Sequence, residues 1–259
     1  GESRYEDAFH MYKRLLHLQK VLIGEMAPST LAVINRLALL LRDMNRLAEA
    51  EDLCVHSLED CTKVLGQDHP TTQQCVEIVA FIRHSLGQSE EAEDMFRLAL
   101  ACNERILGEN HPTTLRTVVK IGILLNDQKL YQESEIFHRR ALIGFEQCLG
   151  EENPETIDEV QYLGELMLKA ENIPEAEKLL RRALSMRRNI YPGSFHPKIM
   201  DSAHCLAVLI HKQTKWKHDP LLSKRKKETE LLYTEALNGR DSQLGIESEA
   251  SIESASCLA

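Results

Sequence analysis

The chain has 259 residues, 43 % of them hydrophobic and 27 % charged, with a formal net charge of −9. That balance lacks the basic footprint of a nucleic-acid binder, and no apolar run approaches the ~20 residues that span a bilayer. Seven cysteines, an odd number without a C-x-x-C pair, read as reduced thiols of a cytoplasmic or nuclear compartment.

A helical pattern occupies 3–23. Its start lacks the basic residues and unbroken apolar stretch of a signal peptide, and it begins in mid-repeat, as a fragment of a longer chain would. After it comes "IGEMAPST" at 23–30. The phrase returns as "LGQDHPTT" at 65–72, "LGENHPTT" at 107–114 and "LGEENPET" at 149–156, and in worn form as "PGSFHPKI" at 192–199. The glycines at 24, 66, 108, 150 and 193 are spaced by 42, 42, 42 and 43 residues. An active-site motif occurs once; a phrase at fixed period marks a repeat architecture.

Each unit holds two helical patterns and almost nothing that reads as strand. In the third unit the first helix is expected from about Pro112 to Asp127, with Leu115, Val118, Ile121, Leu124 and Leu125 on one stripe. Proline suits the first helical turn. The second helix is expected from about Tyr131 to Leu149, with Ile136, Ala141, Leu142 and Phe145 facing inward. Gly150 then ends it in a left-handed conformation. His69, His111 and His196 precede the prolines, and Asn153 replaces them in the fourth copy. A cap or turn tolerates that exchange, and catalysis does not.

Small residues fix the register. Ala38, Ala80, Gly122, Gly164 and Ala207 share one position of the first helices. Ala50, Ala92, Ser134 and Ala176 share one position of the second helices. Seven residues on stand Ser57, Ala99, Ala141, Ala183 and Ala236, each followed by leucine. Small residues let helices approach closely.

The period, "LG-x-x-HP" between units, and Glu91-Ala92-Glu93…Ala99-Leu100 with Glu175-Ala176-Glu177…Ala183-Leu184 resemble the tetratricopeptide repeat. The resemblance is narrowest to the 42-residue type of kinesin light chains and nephrocystin-3. It implies an all-α, right-handed α-solenoid over residues 1–259. The parts are a half-repeat at 3–23, full repeats at 24–65, 66–107, 108–149 and 150–192, and a fifth at 193–244. The fifth carries a basic insertion at 213–226, with its second helix resuming near Lys227, and 245–259 reads as a capping helix.

The resemblance also implies that first helices line a concave groove. Its floor positions are Leu39, Phe81, Ile123, Glu165 and Val208. Flanking them are Asn35, Glu77, Val119, Gln161 and His204 on one side, and Arg42, His84, Asn126, Leu168 and His211 on the other. Kinesin light chains repeat the asparagine of the Asn35 position; here only the first unit has it. Relatives that clamp a terminal carboxylate carry several groove cations; here Arg42 is nearly alone. An apolar floor with hydrogen-bonding edges suits a partner's amphipathic helix or extended segment, although Leu39, Phe81 and Ile123 also fit plain inter-repeat packing.

Other groups read as structural. No phosphate loop, H-E-x-x-H or G-x-S-x-G is present, so no catalytic residue, metal or cofactor is assigned. His204 and His211 share a helical face beside Cys205 without further ligands at metal spacing. Cys54 and Cys61 suit packing, and Glu90-Glu91 and Glu151-Glu152 suit helix starts or turns. Lys212, Lys215, Lys217, Lys224, Arg225, Lys226 and Lys227 surround the lone Trp216. They read as a solvated loop, a contact for acidic segments, or an import-like "KRKK". The expectation is a non-enzymatic adaptor with a protein or peptide partner, neither binding nucleic acid nor inserting in a membrane. The alternative is a self-associating or autoinhibitory module of a larger protein.

Overall fold

A computed structural model describes residues 2–191, 196–214 and 222–244. Among these are eleven α-helices: α1 (Glu2–Ile23), α2 (Pro28–Asp43), α3 (Leu47–Leu65), α4 (Pro70–Ser85), α5 (Ser89–Leu107), α6 (Pro112–Asp127), α7 (Tyr131–Cys148), α8 (Pro154–Lys169), α9 (Ile173–Ile190), α10 (Pro197–Thr214) and α11 (Leu222–Leu244). No described residue is in a strand. The chain divides into two compact units, Gly1–Gln128 and Lys129–Ala259.

In each unit every helix packs on its chain neighbour. α2 also touches α4 in the first unit, as α8 touches α10 in the second. Nearest-neighbour stacking of helix pairs is the solenoid arrangement. The core of the first unit gathers Phe9, Leu37, Leu41, Cys54, Val79 and Ile82. That of the second gathers Leu163, Met167, Leu180, Leu206, Ile210 and Tyr233. The small residues lie where helices cross: Ala38, Ala50, Ala80, Ala92, Ala99, Ala176 and Ala183 are fully buried. A Cβ placed on Gly164 would stand 3.0 Å from the side chain of Leu180, so the glycine permits that approach.

The repeated phrase is a corner. His69 and His111 accept a hydrogen bond at Nδ1 from the amides of Thr71 and Thr113, each at 3.2 Å. Asn153 Oδ1 accepts from the Glu155 amide at 2.9 Å, and His196 Nδ1 from the Lys198 amide at 3.3 Å. These are N-caps, which relieve the unpaired amides of the first turn. The glycine differs from the expected left-handed helical conformation: Gly66 has φ 84°, ψ 166° and Gly108 φ 92°, ψ 160°. That region is essentially closed to side-chain-bearing residues. It turns the glycine carbonyl toward the next helix, where the hydroxyls of Thr72, Thr114 and Thr156 donate to the carbonyls of Gly66, Gly108 and Gly150 at 2.8 Å. The second threonine of the phrase is therefore a latch.

Other expectations shift. Ile136 is 68 % exposed, and the inward position belongs to His138, which is fully buried. Residues 138, 141, 142 and 145 follow the helical period, whereas 136 falls off it. α11 begins at Leu222 rather than near Lys227. "KRKK" thus forms its first turns, and Arg225 faces Glu177 of α9 at 3.7 Å. Trp216, with Lys215 and Lys217, and the expected capping helix at 245–259 lie outside the described residues.

Candidate functional site

The floor residues Leu39, Phe81, Ile123 and Val208 are each half-buried. In the first unit a cleft of about 500 Å³ opens between α2 and α4, lined by Asn35, Leu39, Arg42, Glu77 and Phe81 together with Arg36 and Lys120. Val119 and Ile123 do not line it. Phe81 packs edge-on against Phe96, with ring centroids 5.1 Å apart. The Arg42 guanidinium and the Lys120 ammonium stand 5.5 and 5.7 Å from the Phe81 ring centre. Two cations this near an aromatic ring are attracted by its quadrupole.

Arg42 is therefore not the lone cation that the sequence suggested. Arg36 and Lys120 escaped that reading although each precedes a floor residue by three, and residues three apart share a helical face. Extending the floor one turn backward along each helix finds both. Arg42 is paired with Asp43 at 2.8 Å, and Lys120 with Glu77 at 2.5 Å.

Several edge positions are more deeply set than the floor. Asn35, Glu77, Asn126, Gln161 and His204 are buried, and three of them anchor a contact that recurs with the repeat. Asn35 Oδ1 accepts from Cys75 Sγ at 3.2 Å, and Cys75 lies 3.1 Å from Cys61. Glu77 accepts from Thr117 Oγ1 at 2.5 Å, and Thr117 accepts from Asn103 Nδ2 at 3.1 Å. Gln161 accepts from Ser202 Oγ at 2.6 Å and from Arg187, which also reaches Ser202 at 2.5 Å. Each triad joins a first helix, its second helix and the next first helix. These side chains fasten one repeat to the next, because a buried polar group is tolerated only when hydrogen-bonded. Asn35 retains unspent donor capacity: its Nδ2 is buried without a partner.

In the second unit, Glu165 accepts from Gln161 at 2.8 Å and from Cys205 at 3.2 Å. Val208 packs on the core. His204 and His211 both lie against Tyr233 of α11, with centroids 5.6 and 6.5 Å apart. Among the described residues no group of three or more His, Cys, Asp or Glu is placed to hold a metal ion. In the first unit His84 meets Ser89 at 3.2 Å and Asp127 at 3.0 Å. Cys54 and Cys61 are buried, and burial pushes both thiols up to about 12, which makes them inert at neutral pH. Cys148, by contrast, is exposed. No described helix is long and apolar enough to cross a membrane.

Two models described as tetratricopeptide repeat match the chain, one over residues 30–71 and the other over 74–142 and 115–189. A search of the curated proteins found no match. Among solved structures the chain is similar to BtubC (BKLC) from P. vanneervenii, with 16 % identity over 95 % of this chain and 92 % of that one and a TM-score of 0.70. It is similar to a Podospora anserina putative kinesin light chain with nearly identical TPR-like repeats, at 19 % identity over 84 % and 97 % and a TM-score of 0.68. A Rap protein complexed with Competence and Sporulation Factor matches at 13 % identity over 99 % and 69 %, with a TM-score of 0.66. Those likenesses are of fold. The fold is one that serves as a protein-interaction scaffold. With the two family models reaching across more than half of its length, the chain belongs to the tetratricopeptide repeat family.

Proposed function

We propose that this chain is a non-enzymatic adaptor that binds a partner's peptide or helix in the cleft between α2 and α4. The observation that carries the reading is the cleft's composition. It combines an apolar floor at Leu39 and Phe81, a buried amide donor at Asn35 Nδ2 with no partner, and cations at Arg36, Arg42 and Lys120. An apolar anchor would sit on Phe81, a backbone carbonyl would take the Asn35 donor, and a carboxylate near the anchor would meet Arg36. Ligand sites combine a mostly apolar lining with few placed polar groups in this way. The odd number of cysteines supports a cytoplasmic or nuclear setting.

The test compares wild type with Leu39→Glu and Arg36→Glu after circular dichroism shows that all three fold. Each is used to select binders from a displayed library of random 15-residue peptides. Enriched sequences with an apolar anchor flanked by acidic residues, losing at least tenfold in affinity to either variant, are the expected result. Binders that ignore both substitutions would remove the cleft from the function.

A further inference from the structure

Equivalent positions of the two units lie 84 residues apart, and one surface differs sharply between them. In the second unit the channel between α7 and α9 is bridged. Arg182 on α9 donates to Glu146 on α7 at 2.8 Å and reaches Glu151 in the following turn at 3.3 Å. Beneath them Ile157 is buried. The matching residues of the first unit are Leu98, Thr62, Gln67 and Gln73. Here a cleft of about 590 Å³ stands open between α3 and α5, on the opposite side of α4 from the groove. Its wall carries Leu98, 66 % exposed.

Both exchanges run against what folding alone favours. Leu98 places an apolar side chain in water where the sister unit has an ion pair. Gln73, 8 % exposed, places an amide where the sister unit packs an isoleucine. Gln73 Nε2 donates to the Gln67 carbonyl at 2.7 Å, which fixes the orientation of the amide. Its Oε1 is then buried with no donor. An unmet buried acceptor is a standing cost that an incoming donor removes, and an exposed apolar wall is a cost that an incoming apolar body removes.

We propose that this cleft is a second docking site, independent of the groove, that accepts a tyrosine side chain of a partner polypeptide. The ring would lie against Leu58, Val76 and Leu98. Met95 in the same lining offers the sulfur contact that aromatic rings favour, and the phenol hydroxyl would donate to Gln73 Oε1. An aliphatic anchor leaves that acceptor unmet. A cationic anchor finds Asp68, the carboxylate of the cleft, already bound by Arg105 and by the Cys102 thiol at 3.5 Å.

The whole chain, labelled on Leu, Val and Met methyls, is titrated with N-acetyl-tyrosinamide and with N-acetyl-phenylalaninamide. The methyls of Leu58, Val76, Met95 and Leu98 shift saturably, and the tyrosine derivative binds at least threefold more tightly. Gln73→Ile removes that preference. Leu98→Arg combined with Thr62→Glu and Gln67→Glu rebuilds the bridge, keeps the melting temperature and weakens binding at least tenfold. Leu39→Glu in the groove leaves all of this unchanged. No saturable shift, equal affinity for the two derivatives in wild type, or full binding by the bridged variant overturns the proposal. So does a wild-type dimer that the bridged variant dissolves in sedimentation, because the occupant would then be a second copy of the chain.

Discussion

The two units are built on one pattern and differ in how they handle buried polarity. At the position of Cys54 and Phe96 in the first unit, the second has His138, whose Nδ1 lies 2.6 Å from Glu159, both buried. At the position of Cys61 and Asn103 it has Arg187, 5 % exposed, with Asp158 at 2.7 Å, Ser202 at 2.5 Å and the Lys198 carbonyl at 2.7 Å. The first unit fastens those junctions mainly with neutral groups, thiols, asparagines and a threonine, its one charged anchor being Glu77 paired with Lys120 at 2.5 Å. The second fastens them with charge. A neutral junction breaks gently, whereas an ionic one breaks steeply, since removing one partner strands the other charge in a low-dielectric interior.

The largest expected effect tests that contrast. His138→Phe puts the first unit's Phe96 into the second unit and strands Glu159. It should cost about 3 kcal/mol. Adding Glu159→Thr, the first unit's Thr117, should recover most of the loss, because it removes the stranded carboxylate and leaves a hydroxyl that can bond back along its own helix, as Thr117 does to the Thr113 carbonyl at 3.3 Å. Urea unfolding of the two single variants and the double variant gives the coupling energy. Additive losses would show that the pair is not a pair in solution.

The same contrast explains what was legible from sequence. The 42-residue period, the helices and the small-residue crossings were readable because they rest on local chemistry: proline at the first turn, glycine past the last, apolar residues every three or four. His138 was not, because a histidine on an apolar face has no sequence mark distinguishing it from an outward one. Only Glu159, 21 residues on, makes its burial tolerable. Repeat register picks out the groove floor as a row, and it picks out the edge rows equally well, but it does not say which way an edge residue faces. Asn35, Glu77 and Gln161 are polar and periodic, which fits a ligand-facing row as well as a fastening row. Their partners at Cys75, Thr117 and Ser202 lie 40 or 41 residues away. Nothing local separates the two.

A smaller contrast lies at the helix starts. α8 is capped by Asn153, whereas α2 begins after Ala27 with no side-chain cap. Ala27→Asn should stabilise the chain by about 1 kcal/mol and Asn153→Ala should cost about as much. Equal melting temperatures for wild type and Ala27→Asn would mean that the amides of α2 are already served by water.

The turns inside the repeats differ as well. Gly87 occupies a positive-φ position at 85° in the first unit, and Glu171 occupies it at 61° in the second. Both follow a helix whose last carbonyls accept from the turn: Gln88 donates to Arg83 and Asn172 to Met167, each at 2.9 Å. A side chain in that conformation is strained and glycine is not. Glu171→Gly should therefore stabilise the chain by about 0.5–1 kcal/mol, the relieved strain exceeding the entropy that glycine adds to the unfolded state. A lower denaturation midpoint would show that the turn holds Glu171 by contacts worth more than its strain.

The smallest effect concerns the bridge over the second unit's channel. The Arg182 and Glu146 side chains are about one-third exposed, and Glu151 is mostly exposed. Water and salt therefore screen the interaction. Arg182→Leu, the residue that the first unit carries as Leu98, should cost only about 0.5 kcal/mol. The cost should shrink further at 1 M salt, where the screening length falls to about 3 Å. A loss that persists undiminished in high salt would mean that Arg182 acts through the packing of its aliphatic stem on the channel wall. The absence of a bridge in the first unit would then be a loss of packing as well as of charge. A loss that vanishes in salt would leave the bridge as an electrostatic cover of little weight for folding, so that keeping or omitting it is decided by what the channel must admit.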